Sequence, residues 1–232
     1  MDISLNYEEK GSGFPLVLLH GNGEDCTYFK NQLEYFSKTR RVIAVDTRGH
    51  GKTPRGDGEF SIRRFAGDLH SFFLEHGIEK ADILGFSDGG NIALLFALKY
   101  PHMVRKLVLN GANLFTKGVK ASVQLPIEIG YKIAKPFSRF SKKAKKNAEL
   151  LSLMVNDPYI EPNELKLLKM PVLVIAGTDD MIKESHTRLI AEKLPNSRLV
   201  IMNGDHFIAN KNAKVFNTHV ENFLNGETDE QI

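Results

Sequence analysis

Four short stretches hold the residues that could do chemistry. Ser87 lies in Gly85-Phe86-Ser87-Asp88-Gly89-Gly90, with a glycine two residues away on either side. A serine hydroxyl is a poor nucleophile until a base takes its proton, and that base works best when a third group orients it. A histidine stands in Gly204-Asp205-His206-Phe207, and two carboxylates follow Gly177-Thr178 as Asp179 and Asp180. His20-Gly21-Asn22-Gly23 adds a glycine-rich loop able to turn a backbone N–H toward a reacting group. The glycine spacing around Ser87 has a physical reason. A serine on a sharp strand-to-helix turn takes a positive φ, and strand and helix then approach so closely that side chains at 85 and 89 would collide. A helix starting there also points free N–H groups and the positive end of its dipole at a developing anion.

These residues need elements to position them. Residues 2–8 alternate, with Ile3, Leu5 and Tyr7 on one face, and predict an edge strand. Apolar runs at 15–20, 41–46, 81–86, 104–110 and 171–177 predict strands buried on both faces, and 198–202 predicts a last one. Helical signals fall between them at about 26–38, 61–76, 91–100, 184–194 and 212–224; in the second, Ile62, Phe65, Leu69, Phe72 and Phe73 recur at helical spacing. Strands alternating with helices give an α/β fold with a mostly parallel central sheet flanked by helices. Such sheets carry their chemistry at the carboxyl ends of strands, where His20, Asp46, Ser87, Asn110, Asp179, Asp180 and His206 all fall.

Composition bounds the alternatives. The 232 residues carry a net charge of +3, too little to imply a nucleic-acid partner. The single cysteine, Cys26, cannot form an internal disulfide, the first residues lack the pattern of a signal peptide, and no apolar run reaches the roughly 20 residues of a membrane span. A cytoplasmic protein is expected.

Ser, then acid, then His, each after its own strand, is the order found in α/β-hydrolases. Together with His20-Gly21-Asn22-Gly23 and Asp46-Thr47-Arg48-Gly49-His50-Gly51, the chain outside 113–165 resembles that superfamily, in its small esterase and lactonase type. The resemblance implies Ser87 as nucleophile, His206 as general base and then acid, and an aspartate that orients the imidazole. It favours Asp180, three residues after the glycine that ends its strand, with Asp179 as rival. It also implies an oxyanion hole from the backbone N–H groups of Asn22 and Asp88, with the Asp88 side chain facing outward. The activity implied is hydrolysis of a carboxylic ester or lactone through an acyl-enzyme, on a small-molecule acyl substrate and without a cofactor. Thioester cleavage, C–C bond hydrolysis and a non-catalytic binding protein remain alternatives, because fold does not fix reaction.

Other residues read more plainly. His50, His70, His76, His102, His186 and His219 are packing or surface residues, and His20 fixes its own loop. Asp46 and Arg48 brace the loop after their strand, Cys26 packs in a helix, and no cluster with metal-ligand spacing occurs. Gly21-Asn22-Gly23 with Asp46, and Tyr131 with Lys135, imitate a short-chain dehydrogenase. Cys26, however, stands where that fingerprint needs its third glycine.

Residues 113–168 break the rhythm and are expected to form a helical cap, set into a core of 1–112 and 169–226 and followed by a frayed tail at 227–232. Within it, Pro126 marks a helix start, Pro136 its end, and Leu125, Ile129 and Ile133 a face toward pocket or core. A second helix is expected over about 138–156, with Leu150, Leu151, Leu153 and Met154 apolar and Lys142-Lys143-Ala144-Lys145-Lys146 a solvated face, with attraction of anionic substrates or an anionic membrane surface as the alternative.

Overall fold

The computed structural model describes residues 2–227, so most of the tail expected to fray, 228–232, lies outside the described residues. Seven strands form one sheet: β1 (Tyr7–Lys10), β2 (Pro15–Leu19), β3 (Arg41–Val45), β4 (Ala81–Phe86), β5 (Val104–Asn110), β6 (Val172–Gly177) and β7 (Ser197–Met202). Their spatial order is β1-β3-β2-β4-β5-β6-β7, with β1 antiparallel to β3 and all other pairs parallel. The helices are α1 (Lys30–Phe36), α2 (Ile62–Glu75), α3 (Asp88–Lys99), α4 (Ala121–Phe137), α5 (Lys142–Asn156), α6 (Glu184–Lys193), α7 (Ile208–Lys211) and α8 (Ala213–Asn225).

Period-two alternation divides the apolar strands between two cores. Val17, Leu19, Ile83 and Val174 join Phe65, Phe72 and Phe96 from α2 and α3 on one face. Leu16, Leu18, Leu84 and Leu173 join Phe29, Phe36 and Phe216 on the other, where α1 and α8 lie. Each central strand is therefore apolar throughout, as a sheet covered on both faces demands. The chain builds outward from β2 in one direction and from β4 in the other, so the carboxyl ends of these neighbours flank the switch in strand order where α/β sheets place ligands.

Three expectations are corrected. The edge strand is Tyr7–Lys10, exposed along its length, while Ile3 and Leu5 are buried outside it. Residues 2–5 serve the packing of the Arg48 loop rather than the sheet: the Asp2 carboxylate accepts from Arg48 Nη1 and Nη2 at 2.9 and 2.7 Å. The helix α4 starts five residues before Pro126 and includes both Pro126 and Pro136. Each proline forfeits one N–H bond, and on an exposed helix water satisfies the carbonyl left over. Finally, Leu125, Ile129 and Ile133 face solvent at 57, 58 and 61% exposure. The face of α4 turned inward carries Gln124, whose amide donates to the Met154 carbonyl of α5 at 3.2 Å. The connection returns to the sheet through Ile160, whose N–H donates to the Leu114 carbonyl at 2.9 Å, and Leu153, Ile160, Leu165 and Leu168 lie in the core on the α2 and α3 side.

Candidate active site

At the end of β4 the backbone of Ser87 has φ 53° and ψ −120°, and it is the one non-glycine with positive φ among the described residues. The strain is imposed by packing on both sides of the turn. A Cβ on Gly89 would fall 1.9 Å from the Leu19 carbonyl oxygen, and one on Gly85 would fall 2.3 Å from the Gly89 carbonyl oxygen. Ser87 N–H donates to the Asn110 carbonyl at 2.8 Å, which ties the turn to β5.

His206 follows β7 and reaches across the ends of β6 and β5. Its Nε2 stands 3.0 Å from Ser87 Oγ, and its Nδ1 stands 2.7 Å from Asp180 Oδ1. Asp180 and His206 are both buried, at 2 and 4% exposure, so the pair is shielded from competing water. Asp180 is itself held: its Oδ1 also accepts from the Ile182 N–H at 2.8 Å. Asp179 is exposed, and its N–H donates to the Gly204 carbonyl at 2.9 Å. The structure thus brings Ser87, His206 and Asp180 together and leaves Asp179 outside. The ring of Phe86 lies against His206 at 4.8 Å between centroids and stacks on Tyr28 at 4.4 Å.

Asn22 enters from the loop after β2, and its side-chain amide donates to the Leu150 carbonyl of α5 at 2.8 Å. Gly21 leaves this approach open, because a Cβ would press on the Phe86 ring at 3.0 Å. His20 fixes this loop: its Nε2 accepts from the Thr47 N–H at 3.0 Å, while Nδ1 lies 2.7 Å from the Gly21 carbonyl oxygen. Burial lowers the pKa of His20 and keeps the ring neutral, suited to this one-donor, one-acceptor role. Asp88 opens α3, so its N–H belongs to the first turn, where no intrahelical acceptor exists.

The side chain of Asp88 corrects the expectation that it faces outward. It is buried, it lines the cavity beside Ser87, and its Oδ2 has no hydrogen-bond partner among the described residues. Burial first, and then the neighbouring charge of Asp157, push this carboxyl up to about 7, against a weak hydrogen bond from Asn91. A helix-dipole argument looks only at the local turn. What buries Asp88 is the distant segment carrying Gln124, Met154 and Asp157, which sequence position does not reveal. Glu24 is similarly perturbed: burial pushes its carboxyl up to about 7, although the Gly21 N–H bonds it at 3.2 Å and His206 lies near.

The remaining candidates take structural places. Asp46 accepts from Cys26 N–H at 2.7 Å, Lys52 N–H at 2.8 Å and Asn6 Nδ2 at 2.8 Å. These bonds occupy the carboxylate that would otherwise complete a cation site with Asp25 and Cys26, three groups the fold does bring together. Burial pushes the Cys26 thiol up to about 12, away from a reactive thiolate. Tyr131 and Lys135 line a different surface cavity on α4, apart from the Gly21 loop, and the loop leads into a 3₁₀ turn, Cys26–Phe29; the dehydrogenase reading has no site.

Comparison with known proteins agrees with this architecture. A family described as the alpha/beta hydrolase fold matches residues 15–140, more than half of the chain. The chain is 29% identical over 260 residues to a 2-hydroxymuconate semialdehyde hydrolase of Pseudomonas putida, covering 94% of this chain and 90% of that protein. It is 28% identical over 249 residues to the serine hydrolase BPHL of Mus musculus, covering 96% and 83%. Among solved structures, an enol-lactonase from Burkholderia xenovorans LB400 superposes with a TM-score of 0.81 at 22% identity, over 96% of this chain and 97% of that one. A thermophilic esterase from Thermogutta terrifontis superposes at 0.82 and 22%, over 97% and 94%. The chain is a hydrolase that belongs to the α/β-hydrolase fold family.

Proposed function

We propose that the protein is a serine hydrolase that cleaves a carboxylic ester or lactone through an acyl-enzyme. The observation that carries this reading is the continuous relay from Ser87 Oγ through both ring nitrogens of His206 to Asp180, at 3.0 and 2.7 Å. In it, Ser87 Oγ attacks the acyl carbon as its proton passes to His206 Nε2. Asp180 fixes Nδ1 as the protonated nitrogen and stabilises the imidazolium that forms. The backbone N–H groups of Asn22 and Asp88 receive the developing oxyanion, and such a donor contributes about 10²–10³ in rate. The proton on Nε2 then goes to the departing alcohol, and a water activated by the same nitrogen releases the acid.

The cavity beside Ser87 measures about 20 Å³, room for one water. A substrate therefore enters only if Gln124 of α4 and Met154 of α5 move aside, and we assign these helices the role of a cap. The walls indicate what is admitted. Asp88 Oδ2 and Gln124 Oε1 are buried acceptors without partners, and Asp157 adds a second carboxyl to the same lining. Buried acceptors whose oxygens lack a hydrogen-bond partner favour an acyl part that brings N–H donors, above all an ammonium group, which would relieve the repulsion between Asp88 and Asp157.

The deciding experiment compares the 4-nitrophenyl esters of an amino acid and of its desamino analogue, with wild type, Ser87→Ala and Asp88→Asn. Ser87→Ala should abolish both activities, and Asp88→Asn should lower kcat/KM for the amino ester alone. Equal activity in Ser87→Ala sinks the mechanism; equal selectivity in Asp88→Asn sinks the substrate class and leaves the mechanism standing.

A further inference from the structure

The charge of this protein is unevenly distributed. Residues 117–146 contain nine Lys and Arg side chains and one acid, Glu128, so this stretch carries +8 while the rest of the chain, against a total of +3, carries −5. Lys132, Lys135, Arg139, Lys142, Lys143, Lys145 and Lys146 are all exposed along α4 and the start of α5. Large apolar side chains are exposed along α4 as well, while Lys142, Lys145 and Lys146 at the start of α5 border a neighbouring cavity beside Gly49, Arg55 and Phe60. Leu125, Ile129, Ile133 and Phe137 succeed one another every four residues along α4, and Phe140 follows in the connection; their exposures are 57, 58, 61, 58 and 76%. Four-residue steps on a helix advance about 6 Å with a drift of about 40° each, so the row is a continuous stripe roughly 18 Å long.

The two properties together select the occupant. A second copy of this chain would bring +8 against +8, and a nucleic acid would match the cations but leave the apolar stripe against water. An anionic bilayer matches both: headgroup phosphates meet the lysines while leucine, isoleucine and phenylalanine enter the acyl boundary. We propose that the α4 stripe and its flanking lysines form a docking face for an anionic membrane surface. The face points away from Gln124, so the side of α4 that closes the Ser87 cavity and the side that meets lipid are different sides of one helix.

The test is co-sedimentation of the intact protein with phosphatidylcholine vesicles, with and without phosphatidylglycerol, at low and high salt. Binding should be at least about tenfold stronger with phosphatidylglycerol and should fall as salt rises. Ile129→Glu/Ile133→Glu should abolish it, and Lys142→Glu/Lys145→Glu should weaken it about tenfold. All these positions are exposed and outside the catalytic relay, so hydrolysis of a soluble ester should be retained and reports that the variants fold. Equal partitioning onto neutral and anionic vesicles, no binding to either, or binding unchanged in both variants overturns the proposal. So does a dimer in solution that Ile129→Glu/Ile133→Glu dissociates, since the stripe would then be an interface between copies of the chain.

Discussion

The imidazole of His206 rests against Gly111. A Cβ at 111 would lie 2.6 Å from Cε1 and 2.8 Å from Nδ1 of the ring, and 3.3 Å from Asp180 Oδ2. Gly111 has φ +62°, so the end of β5 is both open enough and turned enough to let the ring pass between Ser87 and Asp180. A glycine two strands earlier in the chain than the histidine is thus part of what aligns it.

Gly111→Ala should therefore displace the ring while leaving the sheet intact. We expect kcat for a short-chain ester to fall by about 10²-fold, as for a misplacement near 1 Å. The strained φ adds on the order of 1 kcal/mol of destabilisation. Steady-state kinetics beside a thermal melt separates the two effects; a large loss of stability with unchanged kcat would show that the ring has another way to pass.

Asp180→Asn and Asp179→Asn should differ sharply. Asp180 accepts from His206 Nδ1 and Ile182 N–H, and an asparagine there favours the wrong tautomer, with kcat falling by about 10⁴-fold. Asp179 is exposed, and its contribution is a backbone bond that asparagine keeps, so kcat should stay within about twofold of wild type.

Much of this was legible in the chain because the constraints are local. Glycines at 85 and 89 are demanded by backbone atoms within one strand–turn–helix unit, and apolar runs followed by Gly-Asn-Gly or Gly-Thr-Asp-Asp mark strand ends directly. The failures share one cause. Periodicity finds the apolar stripe Leu125, Ile129 and Ile133 but cannot say which way a helix is turned. The turn position of Asp88 places its N–H in the first turn of α3, while its burial depends on Gln124, Met154 and Asp157, which arrive from another part of the fold. Gly111 gives a signal only as a glycine after a strand, and its reason becomes visible once His206 is beside it.

Asp88 should make stability depend on pH in an unusual direction. Its carboxyl titrates at about 7 in the folded chain against an ordinary 3.8, so between these values the folded state holds a proton that the unfolded state has lost. Stability therefore falls as pH rises from about 4 to about 7, by a few kcal/mol in total, and does not recover above it. Asp88→Asn removes this dependence. Thermal melts should show the variant more stable than wild type at pH 8, with the difference shrinking toward pH 5; a difference constant with pH would mean that Asp88 ionises freely.

The loop after β3 should be the most sensitive place outside the relay. Arg48 is completely buried, its Nε and Nη2 donating to Asp68 at 2.6 and 2.8 Å and its Nη1 to the Arg55 and Asp57 carbonyls at 2.9 and 3.2 Å. With Asp2 added, the guanidinium joins the first residues, the loop and α2 through a fork that a single ammonium cannot copy. Arg48→Met would leave buried Asp68 with only the longer ion pair to Arg64 Nε at 3.6 Å and should cost about 3 kcal/mol. Arg48→Lys restores the charge but not the fork and should fall between the two. Urea melts of the three proteins check the order; if Arg48→Lys matches wild type, charge alone holds the loop, and the geometry of the guanidinium is dispensable.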